Sequence, residues 1–264
     1  MTERSRQAKR GMHIESTGSG PDLVLIHGWA MHGGVFAQLL ERLVAHVRVH
    51  VVDLPGHGFG RGEEHFDARD SARRIAAATP PALWVGWSLG GLIALHAALQ
   101  APAQVRGIAL LAASPRFVDA PDWPHGVAAH VFGEFAAELR ERYRHAIERF
   151  IALETMGSPH AQAELRDLRQ RVFARGEPRM QALCDGLATL ESSDLRADLA
   201  TLAMPSLWIA GRRDRLVPPA AMRWSAEHSA HGRYLEFNSG HAPFLEHADG
   251  VADALVAFQR ELAA

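Results

Sequence analysis

The sequence predicts an α/β fold: a mostly parallel central sheet with helices on both faces and an inserted helical lid. Three observations carry that reading. Short apolar runs alternate with segments of helical periodicity, the pattern of strands joined by crossover helices. The pentapeptide Gly86-Trp87-Ser88-Leu89-Gly90 sits between one such run and one such segment. From about residue 116 to 195 the strand signals stop and only helical periodicity remains.

The elements follow in order. Residues 1–11 carry Arg4, Arg6, Lys9 and Arg10 with no apolar stretch behind them, so a disordered basic tail is expected rather than a secretory signal. Residues 12–115 form the first part of the core. His13-Ile14-Glu15 and Leu23-Val24-Leu25-Ile26 read as strands parted by a Gly-rich turn, and Val35, Phe36, Leu39, Leu40, Leu43 and Val44 recur at helical spacing. Val47 to Val52 returns to a strand, a helix is expected around Ser71 to Ala78, and Ala82 to Val85 leads into the pentapeptide. Gly107 to Ala112 makes another strand. Residues 116–195 are read as the lid, with Phe132, Phe135, Leu139, Tyr143, Ile147 and Phe150 on one helical face and turns at Gly157-Ser158-Pro159 and Gly176-Glu177-Pro178. Residues 196–264 resume the alternation with Ser206 to Ala210, Arg233 to Phe237 and a helix from about Val251 to Leu262.

Composition narrows the function. A formal net charge of -2 argues against a broad basic surface for nucleic acid. No apolar run approaches the roughly 20 residues that span a bilayer, so no membrane association is expected. The single Cys184 allows no internal disulfide and no cysteine-based metal site, which makes the cytoplasm the expected location.

The pentapeptide has the G-x-S-x-G form of a nucleophile elbow, in which a strand turns sharply into a helix behind an exposed serine. A serine hydroxyl is a poor nucleophile at neutral pH and needs a base, and the base needs a third group to orient it. Asp214 lies in Gly211-Arg212-Arg213-Asp214-Arg215, just past the strand ending at Ala210, and His241 lies in Ser239-Gly240-His241-Ala242-Pro243-Phe244, just past the strand ending at Phe237. Ser88, Asp214 and His241 follow in the order nucleophile, acid, base, which α/β-hydrolases use. The alternative for Asp214 is a solvated turn carboxylate paired with Arg212, Arg213 or Arg215, with Asp194 and Asp198 as the fallback acids. Donors for the developing oxyanion are expected from the backbone N–H groups of Leu89 and of Trp29, in the loop after the strand ending at Ile26. His27, Asp53 and His57 read as turn-stabilising residues. The chemistry needs no cofactor and no metal.

With the elbow, Leu25-Ile26-His27-Gly28-Trp29, Val52-Asp53-Leu54-Pro55-Gly56-His57-Gly58, Asp214 and Gly240 to Phe244 on the page, the chain resembles the α/β-hydrolase superfamily over nearly its full length. Trp84 to Leu92, Ala113-Ser114-Pro115-Arg116-Phe117, Asp122-Trp123-Pro124 and Glu148 to Gly157 are similar to the BioH family, the pimeloyl-[acyl-carrier protein] methyl ester esterases of biotin synthesis. The resemblance implies hydrolysis of that methyl ester to the free acid and methanol, with Ser88 attacking, His241 moving the proton, Asp214 orienting His241, and Trp29 and Leu89 holding the oxyanion. It implies that Phe150, Ile151, Ala152, Leu153 and Glu154 line the acyl channel, although a glutamine is usual where Glu154 stands. It also implies an acyl carrier protein as partner, alongside small esters; a monomer is expected.

The carrier is acidic, so its docking face should be basic. Arg140, Arg142, Arg144 and Arg149 are read on one lid helix, and Arg166, Arg169, Arg171 and Arg175 on the next. Arg149 and Arg166 match family positions that contact the carrier, whereas His145 and Gln162 stand where the family has arginines. The alternative is a solvated face whose arginines pair with Glu138, Glu141 and Asp167 at helical spacings. Other readings of the whole chain are a broad short-chain carboxylesterase, a C–C bond hydrolase with the same triad, and a non-catalytic ligand receptor on the same fold.

Overall fold

The computed structural model describes residues 11–154 and 161–262, without the side chains of Glu154, Ala161, Ala163, Glu164 and Asp167. The expected tail, the turn at Gly157-Ser158-Pro159 and the side chain of Glu154 therefore lie outside the described residues.

Seven strands form one sheet: β1 (His13–Gly18), β2 (Asp22–Ile26), β3 (Arg48–Asp53), β4 (Ala82–Trp87), β5 (Val105–Leu111), β6 (Ser206–Gly211) and β7 (Gly232–Phe237). Their spatial order is β1-β3-β2-β4-β5-β6-β7. β1 runs antiparallel to β3, and the other pairs are parallel. β4 sits near the middle of the sheet and is buried along its whole length, as a strand covered on both faces must be.

Helices cover the sheet. α1 (Ala37–Leu43) follows β2, α2 (Ala68–Ala78) precedes β4 and α3 (Leu89–Gln100) follows it. Asp67 caps α2 by accepting the N–H of Asp70 at 2.6 Å, a start that lies three residues ahead of the one expected at Ser71. Residues Leu89 to Ala98 of α3 are all buried, the character of a helix enclosed on every side.

Between β5 and β6 stand α4 (Ala129–Glu141), α5 (Tyr143–Glu154), α6 (Ala161–Val172) and α7 (Met180–Ser192). α8 (Pro219–His228) follows β6, and a single turn, α9 (Pro243–Glu246), with α10 (Ala248–Glu261) closes the chain.

Two expectations about the lid segment change. The single helix read through Phe132 to Phe150 is two helices, so Arg140 belongs to α4, Arg144 and Arg149 to α5, and Arg142 to the joint between them. At Arg142 the backbone leaves the helical region (φ -140°, ψ 61°). No glycine or proline marks that break, and both helices point their apolar faces at one core, which keeps the periodicity continuous across it. Arg175 likewise lies beyond α6. The segment also contains two isolated bridges, Val118 with Val127 and Ala120 with Trp123, which fold Asp122-Trp123-Pro124 back so that the buried Trp123 indole donates to the Arg116 carbonyl at 3.1 Å.

Candidate active site

The site is assembled at the carboxyl ends of β2, β4, β6 and β7, where parallel sheets of this kind present their loops. Ser88 follows β4 with φ 53° and ψ -117°, a conformation a serine adopts only where its surroundings enforce it. Those surroundings require the flanking glycines. A Cβ on Gly86 would lie 2.2 Å from the Gly90 carbonyl oxygen, and one on Gly90 would lie 2.3 Å from that of Ile26. The Ser88 N–H donates to the Leu111 carbonyl at 3.0 Å, which ties the turn to β5.

His241 is buried and donates its Nδ1–H to Asp214 Oδ2 at 2.8 Å. Asp214 is 5% exposed, and its Oδ1 accepts the N–H groups of Leu216 at 2.8 Å and Val217 at 2.9 Å. This is a carboxylate held inside its loop, not a solvated turn residue, while Arg212 pairs with Glu236 at 2.9 Å. Asp194 is engaged elsewhere: Arg196 and Arg116 bind it and hold its carboxyl well below the usual range. With its Nδ1 turned to Asp214, His241 keeps an Nε2 that is buried and has no partner among the described residues. Ser88 and His241 line the same cavity.

The loop that carries the base is fixed to the elbow. Trp87 donates its indole N–H to the His241 carbonyl at 2.9 Å and packs edge-on against Phe244 at 5.1 Å. A fully buried tryptophan must satisfy that N–H, and here its acceptor is the catalytic-base candidate's own backbone.

The loop after β2 approaches Ser88 closely, since a Cβ on Gly28 would come within 3.3 Å of the serine Cβ. Among the described residues, no acceptor takes the backbone N–H of Trp29 or of Leu89. His27 holds this loop from behind: its Nδ1–H donates to the Gly28 carbonyl at 2.8 Å and its Nε2 accepts the Leu54 N–H at 3.0 Å. Burial, reinforced by the neighbouring His57, pushes the His27 pKa down to about 3, and burial pushes that of His57 down to about 4. Both rings are therefore neutral at ordinary pH. Asp53 accepts from Gly33 at 2.6 Å and Phe59 at 2.8 Å and pairs with Arg175 at 3.0 Å.

The cavity encloses about 570 Å³ of empty space, counted to its open mouth. Apart from Ser88 and His241 its walls are aliphatic or aromatic, with Phe117, Val127, Val131, Phe132, Phe135, Phe150, Leu153, Leu187, Leu190 and Leu216. Of the expected channel residues, Phe150 and Leu153 face it. Ile151 is fully buried in the hydrophobic core and, like Ala152, is not part of the wall. One helix turn explains the split: positions 150 and 153 share a face of α5, and 151 and 152 turn away from it. The walls from Phe117, Val127, Val131, Leu187, Leu190 and Leu216 were not anticipated: Val131, Leu187 and Leu190 lie on helices, where an apolar stripe reads alike whether it meets the core or a cavity, and Phe117, Val127 and Leu216 lie in connecting segments with no periodicity to read.

On the surface of the helical segment between β5 and β6, Arg149 bonds Glu138 at 2.6 Å and lies over the Phe135 ring at 5.7 Å. Arg144 pairs with Glu177, and Arg169 lies 3.9 Å from Glu148. Arg166 is exposed on α6.

Comparisons with known proteins agree with this architecture. The alpha/beta hydrolase fold family matches residues 21–248. The chain is 57% identical over 249 residues to a pimeloyl-[acyl-carrier protein] methyl ester esterase of Xanthomonas oryzae, covering 94% of this chain and 98% of that protein. An enzyme of the same name from Stenotrophomonas maltophilia is also 57% identical, covering 94% of this chain and 96% of its own. Among solved structures, an esterase from Exiguobacterium antarcticum superposes with a TM-score of 0.86 at 21% identity, covering 94% of this chain and 95% of its own. An enol-lactonase from Burkholderia xenovorans gives 0.82 at 21% identity, again with 94% and 95% covered, a likeness of fold alone. No helix among the described residues is long and apolar enough to cross a membrane. The chain belongs to the α/β-hydrolase family and, within it, to the pimeloyl-[acyl-carrier protein] methyl ester esterases.

Proposed function

We propose that the protein is a serine carboxylesterase that hydrolyses the methyl ester of pimeloyl-[acyl-carrier protein] to the free acid and methanol, in biotin synthesis. The observation that carries the reading is the His241 imidazole, bonded to Asp214 at 2.8 Å with its Nε2 unpartnered, in a residue that lines the same cavity as Ser88.

The chemistry runs as an acyl transfer in two halves. Ser88 Oγ attacks the ester carbonyl as His241 Nε2 takes its proton, and the buried Asp214 carboxylate stabilises the imidazolium. The N–H groups of Trp29 and Leu89 receive the developing oxyanion, each donor contributing on the order of 10² to 10³ in rate. The tetrahedral intermediate collapses, and methoxide leaves as methanol with the proton from Nε2. Water then attacks the acyl-serine, again losing its proton to His241, and Ser88 is regenerated as the acid departs.

The apolar wall suits a chain of methylenes ending in a neutral ester. Among the described residues this wall offers no lysine or arginine to the carboxylate that hydrolysis creates, which favours product release. The Asp214–His241 pair, with His241 lining the same cavity as Ser88, supports an enzyme over the receptor reading, and no contact among the described residues favours C–C hydrolysis. We place the enzyme in the cytoplasm as a monomer, with its acidic carrier docking on the lid near Arg149 and Arg166. Complementation tests the reading: the gene should restore biotin-independent growth to a bacterium lacking this esterase, and failure with active, expressed protein would favour a broad esterase.

A further inference from the structure

The lid helix α7 meets the base of the site at one glycine. A Cβ on Gly186 would lie 2.7 Å from Trp29 Cδ1, 3.2 Å from Trp29 Nε1 and 3.4 Å from Leu89 Cδ2. These are the side chains of the two residues to which the oxyanion N–H groups are assigned, so a side chain at this one position would meet both. The contact with Trp29 is reinforced on either side. Its indole N–H donates to the Leu183 carbonyl, one turn earlier on α7, at 2.8 Å. Phe150 and Phe135 pack edge-on against the ring, at 4.7 and 5.7 Å between centroids. Trp29 is fully buried, so its ring can shift only by displacing the side chains packed on it.

Gly186 is in the interior of α7, where glycine is disfavoured by about 0.5–1 kcal/mol relative to alanine. Its place there is explained by the near contact with the indole rather than by the helix. We propose that Gly186 is a positioning residue for the oxyanion hole: its missing side chain lets α7 seat the Trp29 indole, and through it the Trp29 backbone N–H, beside Leu89. The hole is then complete only while the lid helix is docked. This rests on the assignment of Trp29 and Leu89 as the oxyanion donors.

The test compares Gly186→Ala with the wild type on a small carboxylic ester and on its thiono analogue, in which sulfur replaces the carbonyl oxygen. An oxyanion hole stabilises the oxygen better than the larger sulfur, so the ratio of kcat/KM for the two esters reports its geometry. The proposal expects a kcat loss of about 10- to 100-fold with KM changed no more than about twofold, and a ratio that falls toward one. In a Trp29→Ala background the same substitution should cost little further, because the methyl group has no indole to strike. That double variant also answers the case in which Gly186→Ala alone folds poorly. An unchanged kcat and ratio in Gly186→Ala, with a large wild-type ratio, overturns the proposal and leaves the donor assignment standing. An equal kcat loss with and without the indole overturns it too. A wild-type ratio near one overturns the donor assignment and the proposal with it.

Discussion

Asp214 divides its carboxylate between its own loop and His241: Oδ1 takes the N–H groups of Leu216 and Val217, and Oδ2 takes the His241 Nδ1–H at 2.8 Å. The division fixes which nitrogen of the base carries a proton. In Asp214→Asn the amide oxygen must stay with the two backbone donors, so the amide NH₂ would face Nδ1 and drive the proton to Nε2, the atom that must accept from Ser88. kcat on a small ester should fall by about 10⁴ with KM little changed and the fold intact. A loss under about tenfold would contradict the orienting role.

Acid should weaken the fold through the two histidines behind the Trp29 loop. Burial holds the His27 pKa at about 3 and that of His57 at about 4, against about 6.5 in an unfolded chain. Below pH 6.5 the unfolded state binds protons that the folded state refuses. The stability is therefore complete above that pH and declines as pH falls toward 4 and then 3. Each ring contributes a slope of up to about 1.4 kcal/mol per pH unit in that window. Urea midpoints between pH 7 and 4.5 measure it, and His57→Gln should flatten the curve by one such slope. Identical curves for wild type and variant would remove His57 from the account.

Carrier docking should be sensitive to salt. Arg149 shares its charge with Glu138, but its side chain remains 49% exposed at the lid surface. Added salt should lower kcat/KM for the carrier-bound ester more than for a small methyl ester, and Arg149→Ala should shrink the difference. Equal salt responses for the two substrates would discredit docking on this face.

The parts of the site that sit at strand ends were legible in the sequence, because a strand leaves a contiguous apolar run and its following loop is fixed by it. Ser88, Asp214 and His241 are each singled out in that way, and the fold brings them to one edge of the sheet, with Asp214 bonded to His241 and His241 lining the same cavity as Ser88. The cavity was less legible, since its wall comes from separated segments. A run such as Phe150 to Leu153 shows only that a helix is apolar, and its rotation decides that Phe150 faces the cavity while Ile151 faces the core. The joint at Arg142 was hidden because neither helix breaker nor change of period marks it. Contacts between distant segments, such as the Trp87 indole on the His241 carbonyl, leave no local trace at all.

Methanol release from the methyl ester of pimeloyl-[acyl-carrier protein], followed with the purified wild type and with Ser88→Ala, tests the central claim most directly. The wild type should turn the carrier-bound ester over, and the variant should lose about 10⁴-fold or more of that rate while keeping its fold. Comparable methanol release by Ser88→Ala, or a wild type that splits small esters and leaves the carrier-bound ester intact, would contradict the account.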